Sequence, residues 1–184
     1  MALHRFLLTI LPAPDLAAEV QRLRTTLHAR IGSFSGRHNP PHITLCFLDL
    51  PAEQEPAIME AIARGTTGLQ VFTLHYNGIT HFPDKRTIYI DPVEKEAIAL
   101  VRTSIVAALK ADPRLHAAVR ETDHPHLTLA AGLKPHQFDA AWDLLAPHTH
   151  TSTERVTEVV LLKRVLLPGE RYGLVRSFPL SSDA

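Results

Sequence analysis

A stretch of five residues, Pro41-His42-Ile43-Thr44-Leu45, occurs twice in this chain. The second copy, Pro125-His126-Leu127-Thr128-Leu129, begins 84 residues later and exchanges only Ile for Leu. On a β-strand successive side chains point to opposite faces, so residues two apart share one. His42 and Thr44 then face one way, and Ile43 and Leu45 the other. His126 and Thr128 divide from Leu127 and Leu129 in the same manner. Each copy presents an imidazole and a hydroxyl on one face and is anchored by two aliphatic residues on the other. Packing alone gives no reason to keep both pairs, so they mark a site.

The flanking sequence repeats with the motif. His4 to Leu11 is an apolar run ended by Pro12 and Pro14, which suits a buried strand. Asp15 is a candidate N-cap, and Leu16, Val20, Leu23, Leu27 and Ile31 form a helical stripe with Arg22, Arg24 and Arg30 on other faces. A Gly- and Pro-rich loop leads to the first motif strand, about 42–48. Pro51 opens a second helix closed by Gly65 and Gly68, and Leu69 to Tyr76 alternates as a strand. The order then restarts: a strand at Thr87–Ile90, a helix from Glu94 to Lys110, the second motif strand at about 126–131, and a helix opened by Pro135. A long alternating segment from Val156 to Leu167, a Pro168-Gly169 turn and a last strand from Tyr172 to Leu180 complete the chain. The same offset lays Pro51 on Pro135 and Ala57 on Ala141. The expected fold is α+β and pseudo-symmetric: two antiparallel-rich sheets flanked by helices, with a central cleft. Residues 1–184 form one two-lobed domain, its copies running over about 4–76 and 82–180.

Composition narrows the function. Nineteen basic and nineteen acidic residues cancel, so no long-range field recruits duplex DNA. The run Phe6 to Leu11 falls far short of the ~20 apolar residues that span a membrane. The lone Cys46 fits a reducing compartment, and a cytoplasmic location is expected. Cys46 is read on the face of His42 and Thr44, as buried filler rather than a nucleophile. Twelve histidines invite a metal reading. Pro40 and Pro41, however, exclude the helix that would align His38 with His42. The pairs His124/His126 and His148/His150 lack nearby acidic or thiolate partners, so no metal site is expected. His148 and His150 are read as a solvated loop. His28, His116 and His136 are placed at the surface, and Trp142 on the apolar stripe of its helix.

Two histidines at equivalent positions suit paired acid–base chemistry. With ordinary pKa values near ~6.5, one can be neutral and take a proton while the other, charged, gives one. Thr44 and Thr128 can each donate a hydrogen bond to a phosphoryl oxygen. The paired His-x-Thr-Leu motifs resemble those of the 2H phosphoesterase superfamily, in the branch of 2′,5′ RNA ligase-like proteins and 2′,3′-cyclic nucleotide phosphodiesterases. Arg5-Phe6-Leu7-Leu8, Gly78-Ile79-Thr80-His81-Phe82-Pro83 and the segment from Leu162 to Leu180 are similar to that family's opening strand, Phe-Pro turn and closing hairpin.

The resemblance implies a metal- and cofactor-independent enzyme that hydrolyses 2′,3′-cyclic phosphates of nucleotides or RNA ends to 2′-phosphates. Its alternatives are reversible 2′,5′ ligation of RNA ends and a non-catalytic nucleotide- or RNA-end-binding protein. It makes His42 and His126 the catalytic pair, His126 as base and His42 as acid, in a monomer. Thr44, Thr128, Arg171, Tyr172 and Phe82 contact the substrate, with Phe82 and Tyr172 as stacking rings. Many relatives carry an Arg or Lys shortly after the second motif. Here Ala130, Ala131 and Gly132 follow, leaving Arg171 and Arg86 as candidate substitutes.

Overall fold

A computed structural model describes residues 2–182. The chain order is β1 (Leu3–Ile10), α1 (Pro14–Ile31), β2 (Ile43–Pro51), α2 (Glu55–Thr66), β3 (Phe72–His81), β4 (Ile88–Pro92), α3 (Lys95–Lys110), β5 (Val119–Glu121), β6 (Leu127–Ala130), α4 (Pro135–Leu145), β7 (Thr151–Val156), β8 (Glu158–Val165) and β9 (Gly173–Pro179). The fold is α+β, and its strand pairs are antiparallel. The strands run β7-β3-β4-β6-β2-β1-β8-β9, with β5 beside β2. The two expected sheets are thus joined into one, and the joint is a single pair, Ile43 opposite Leu127. These are the equivalent residues of the two motifs, so the pseudo-two-fold axis passes between them. His42 and His126 precede that pair on either side.

The repeats exchange strands. β3, the last strand of the first copy, pairs with β4 of the second, while β8 of the second copy pairs with β1 of the first. The strand expected from Val156 to Leu167 is β8, paired with β1; β7, just ahead of it, is missed by the sequence pattern and pairs with β3 near the opposite end of the sheet. Alternation in a sequence records which face is buried, and the exposed polar run of β7 offers little of that contrast.

One core lies between the sheet and the helices. It combines Phe6, Leu8, Ile10, Ile43, Leu45, Ile88, Ile90, Leu127 and Leu129 with Leu16, Val20, Leu23 and Leu27 of α1, Ile58 and Ile62 of α2, and Ile98, Val101 and Ile105 of α3. The opposite face of the sheet is left to the motif histidines and threonines. Helix α2 does not stop at Gly65. That residue lies where α2 crosses α3, and a Cβ there would stand 2.6 Å from the Ile105 Cα. Ser104 of α3 donates to the Gly65 carbonyl at 2.8 Å. Gly65→Ala is therefore expected to force the helices apart and cost about 1–3 kcal/mol. Urea unfolding checks this; an unchanged midpoint would refute the close crossing.

Candidate active site

Both motif histidines are held in the same way. His42 Nδ1 lies 2.7 Å from the Pro40 carbonyl oxygen, and His126 Nδ1 lies 2.7 Å from that of His124. A carbonyl only accepts, so Nδ1 carries the hydrogen in each ring and the neutral tautomer leaves Nε2 bare. Burial pushes the pKa of His42 down, the Pro40 bond opposes this, and the charges of Arg24 and His126 lower it further. Burial likewise lowers His126, the His124 carbonyl opposes it, and the His124 ring adds to the fall. Each ring is thus biased toward neutrality, and a charge on His126 disfavours one on His42.

A bulge falls at the last residue of each motif. Leu8 pairs with Cys46 and Thr9 with Thr44, which leaves Leu45 out of register; Ile88 pairs with Ala130 and Tyr89 with Thr128, which leaves out Leu129. The bulges occur at equivalent positions and re-aim the strands beyond the threonines. They also correct the placement of Cys46. It turns into the core and is fully buried, and burial pushes its thiol up to about 12, which removes it from nucleophilic chemistry. Phe47 takes the site face instead. Its neighbours there are Leu7, Val160, Leu162 and Tyr172. Arg5 stacks over the Phe47 ring at 4.4 Å and is fixed by two bonds to Asp49, of 2.8 and 2.6 Å.

On the other side of the axis Phe82 lies 5.0 Å from the His126 ring, edge to face. Tyr89, opposite Thr128 in the ladder, lies 5.3 Å from His126 and 4.7 Å from Phe82. Tyr172 is half-buried on the Phe47 patch with Arg164 over its ring at 5.1 Å. Arg171 is exposed and has no ion pair or hydrogen bond among the described residues. Arg86 lies on the exposed turn facing the start of α4, where its carbonyl accepts from Leu133, and it meets neither histidine. His148 is exposed, but His150 is half-buried, with Nε2 3.0 Å from the Ser152 hydroxyl. Trp142 stacks on Phe138 at the core's edge. The described residues contain no cluster of three His, Cys, Asp or Glu side chains able to hold a metal ion.

The residue that sequence reasoning missed is Arg24. It is 2% exposed, although the helical pattern puts it on an outer face. Its guanidinium donates at 2.7 Å to the Asn39 carbonyl, just before the first motif, and at 2.7 Å to the Thr128 carbonyl of the second. No carboxylate pairs with it among the described residues, its Nε has no partner, and burial lowers its pKa to about 10. A signal is present: position 24 is four residues past Val20 and three before Leu27, on the margin of the apolar stripe. A buried guanidinium thus joins both motif segments and places a positive charge behind the site. The carbonyl of Thr44 is held differently, by the Thr122 hydroxyl at 2.9 Å.

The comparisons with known proteins agree with this geometry. A sequence model of the 2′-5′ RNA ligase superfamily matches residues 12–166. No curated protein matches the sequence. The fold is similar to that of TT0787 of Thermus thermophilus, with a TM-score of 0.71 at 19% identity over 98% of this chain and 100% of the other. It is also similar to Escherichia coli LigT, with a TM-score of 0.61 at 20% identity over 98% and 99%. Kluyveromyces marxianus Usb1, solved with uridine monophosphate, aligns with a TM-score of 0.51 at 14% identity over 96% and 98%. The duplicated His-x-Thr-Leu motif, the strand-exchanged sheet that joins its copies and the match over most of the sequence have one reading: the chain belongs to the 2′-5′ RNA ligase superfamily of 2H phosphoesterases.

Proposed function

We propose that this protein hydrolyses 2′,3′-cyclic phosphates of nucleotides or RNA ends to 2′-phosphates. The observation that carries the reading is the pair of imidazoles on either side of the axis, each with Nδ1 satisfied and Nε2 free. The neutral ring takes a proton from water as its oxygen attacks phosphorus. The bond from phosphorus to the 3′ oxygen breaks, and the charged ring protonates that oxygen, leaving a 2′-phosphate. His126 acts as base and His42 as acid. Thr44 and Thr128 donate to the phosphoryl oxygens, and the buried charge of Arg24 favours the dianionic transition state. No step needs a metal or a cofactor. Phe82, Tyr172 and Arg171 contact the nucleoside or the RNA beyond it.

Replacing water by the 5′-hydroxyl of a second RNA end gives a 2′,5′ linkage through the same two proton transfers. The family match favours keeping that reaction in view. That LigT was solved with 3′-AMP supports a nucleotide as the ligand class.

The test is phosphorus NMR of the four nucleoside 2′,3′-cyclic phosphates incubated with enzyme in EDTA. The 2′-phosphate is the expected product in each active reaction, unaffected by the chelator. Exclusive formation of the 3′-phosphate, or chelator-sensitive turnover, would overturn this chemistry. Binding of the cyclic nucleotides without turnover would make the protein a binding module.

A further inference from the structure

The two halves hold their motif carbonyls differently. Helices α1 and α3 are repeat equivalents, and each sends an arginine to the loop before a motif: Arg24 to the Asn39 carbonyl, Arg102 to that of Thr122. Arg24 also reaches the Thr128 carbonyl and is wholly buried, so its side chain fills the wedge between α1 and the second motif. On the α3 side the Thr122 hydroxyl takes the Thr44 carbonyl, and Arg102 stays at the rim, 3.7 Å from Asp123. Beside them a cavity of about 270 Å³ opens between α3 and the 122–125 loop, and Thr44 forms part of its wall.

Its size lies just below the ~300–1,000 Å³ of sites for drug-sized ligands, which suits a single ring system rather than a whole nucleotide. Ile98, Ala99, Tyr89 and Pro125 give it apolar walls, while the Asp91–Lys95 pair and Arg102 give it a polar rim. Positive and negative groups are mixed there, which disfavours a second phosphate and suits a flat heterocycle with donors and acceptors at its edge. We propose that this wedge between α3 and the 122–125 loop is the nucleobase site for the nucleotide whose phosphate lies between the histidines. The proposal rests on the nucleotide reading above and fixes the substrate's direction: base toward α3, away from the Phe47–Tyr172 platform. That platform then receives whatever lies on the other side of the phosphate.

Ala99 lies at the cavity wall and outside the catalytic set, so Ala99→Phe fills the pocket, and Ala99→Leu fills it partly. Calorimetry with adenosine 2′-monophosphate and with base-free ribose 2-phosphate separates base binding from phosphate binding and needs no turnover. Loss of the base contact is expected to weaken the nucleotide at least roughly ten-fold in Ala99→Phe and less in Ala99→Leu. Ribose 2-phosphate should bind all three proteins alike, which also reports that the variants are folded. Unchanged nucleotide affinity in both variants would overturn the proposal, as would an equal loss of both ligands in the milder variant. If cyclic phosphates are not hydrolysed but nucleotide binding falls selectively, the pocket stands and the hydrolytic reading fails.

Discussion

His42→Ala and His126→Ala are each expected to lower kcat/KM for a 2′,3′-cyclic nucleotide by about 10²–10⁴-fold, the usual contribution of a positioned acid or base. The two losses should not add. Once one proton transfer has lost its partner, removal of the other histidine has less left to remove, so the double variant should lie close to the worse single one. Folding should survive, because each ring bonds only to a carbonyl two residues away in its own segment. Steady-state kinetics beside thermal unfolding separate the two effects. Full activity in either variant would sink the paired mechanism.

Arg24→Met should have the largest effect among changes outside the motifs. It leaves the part-buried carbonyls of Asn39 and Thr128 without this donor, at up to about 1–3 kcal/mol each. Relief of the desolvated guanidinium offsets part of that loss, so a net destabilisation of about 1–3 kcal/mol is expected. The kinetic signature is more specific. Burial is the main cause of the lowered His42 pKa and the positive charge of Arg24 adds to it, so removing that charge should let the pKa rise. The alkaline limb of the pH profile, which reports loss of the acid's proton, should move to higher pH, and kcat/KM should fall by at least ~10-fold. Arg24→Lys keeps the charge but cannot reach both carbonyls with one ammonium, so it should restore the limb before it restores stability. A less stable protein with an unmoved profile would confine Arg24 to a structural role.

Much of this arrangement is legible in the sequence because the duplication supplies its own control. A His-x-Thr pair on one strand is ambiguous; two copies with matching helices and prolines around them locate an axis. The family turn singles out Phe82, which the structure brings to 5.0 Å from the His126 ring. What could not be read depends on pairing rather than pattern. The bulges at Leu45 and Leu129 leave no mark in an alternating strand, so simple alternation puts Cys46 on the wrong face. Tyr89 is legible in retrospect, because Ile88 and Ile90 claim the core and leave it to the other face. The exchange of β3 and β8 between the copies is a choice of neighbour that local sequence does not encode. Arg24 escapes the pattern because an arginine is usually solvated, and only the open carbonyls of the diverging strands give it reason to be buried. The positive charge missing after Leu129 therefore points, in the sequence, to surface loops at Arg171 and Arg86. The buried cation behind the site instead comes from the first helix.

The central claim is that two imidazoles, one neutral and one protonated, work as a unit. The pH dependence of kcat/KM tests it most directly, since that profile reports ionisations of the free enzyme. Burial lowers both rings, and a proton on one disfavours a proton on the other. The singly protonated pair should therefore be most abundant on the acid side of the ordinary histidine value, ~6.5. The account expects a bell with its maximum below that pH, whose two apparent pKa values belong to the pair, and the loss of one limb in each alanine variant. A rate flat from acid to alkaline pH, or a bell that persists in both variants, would contradict it.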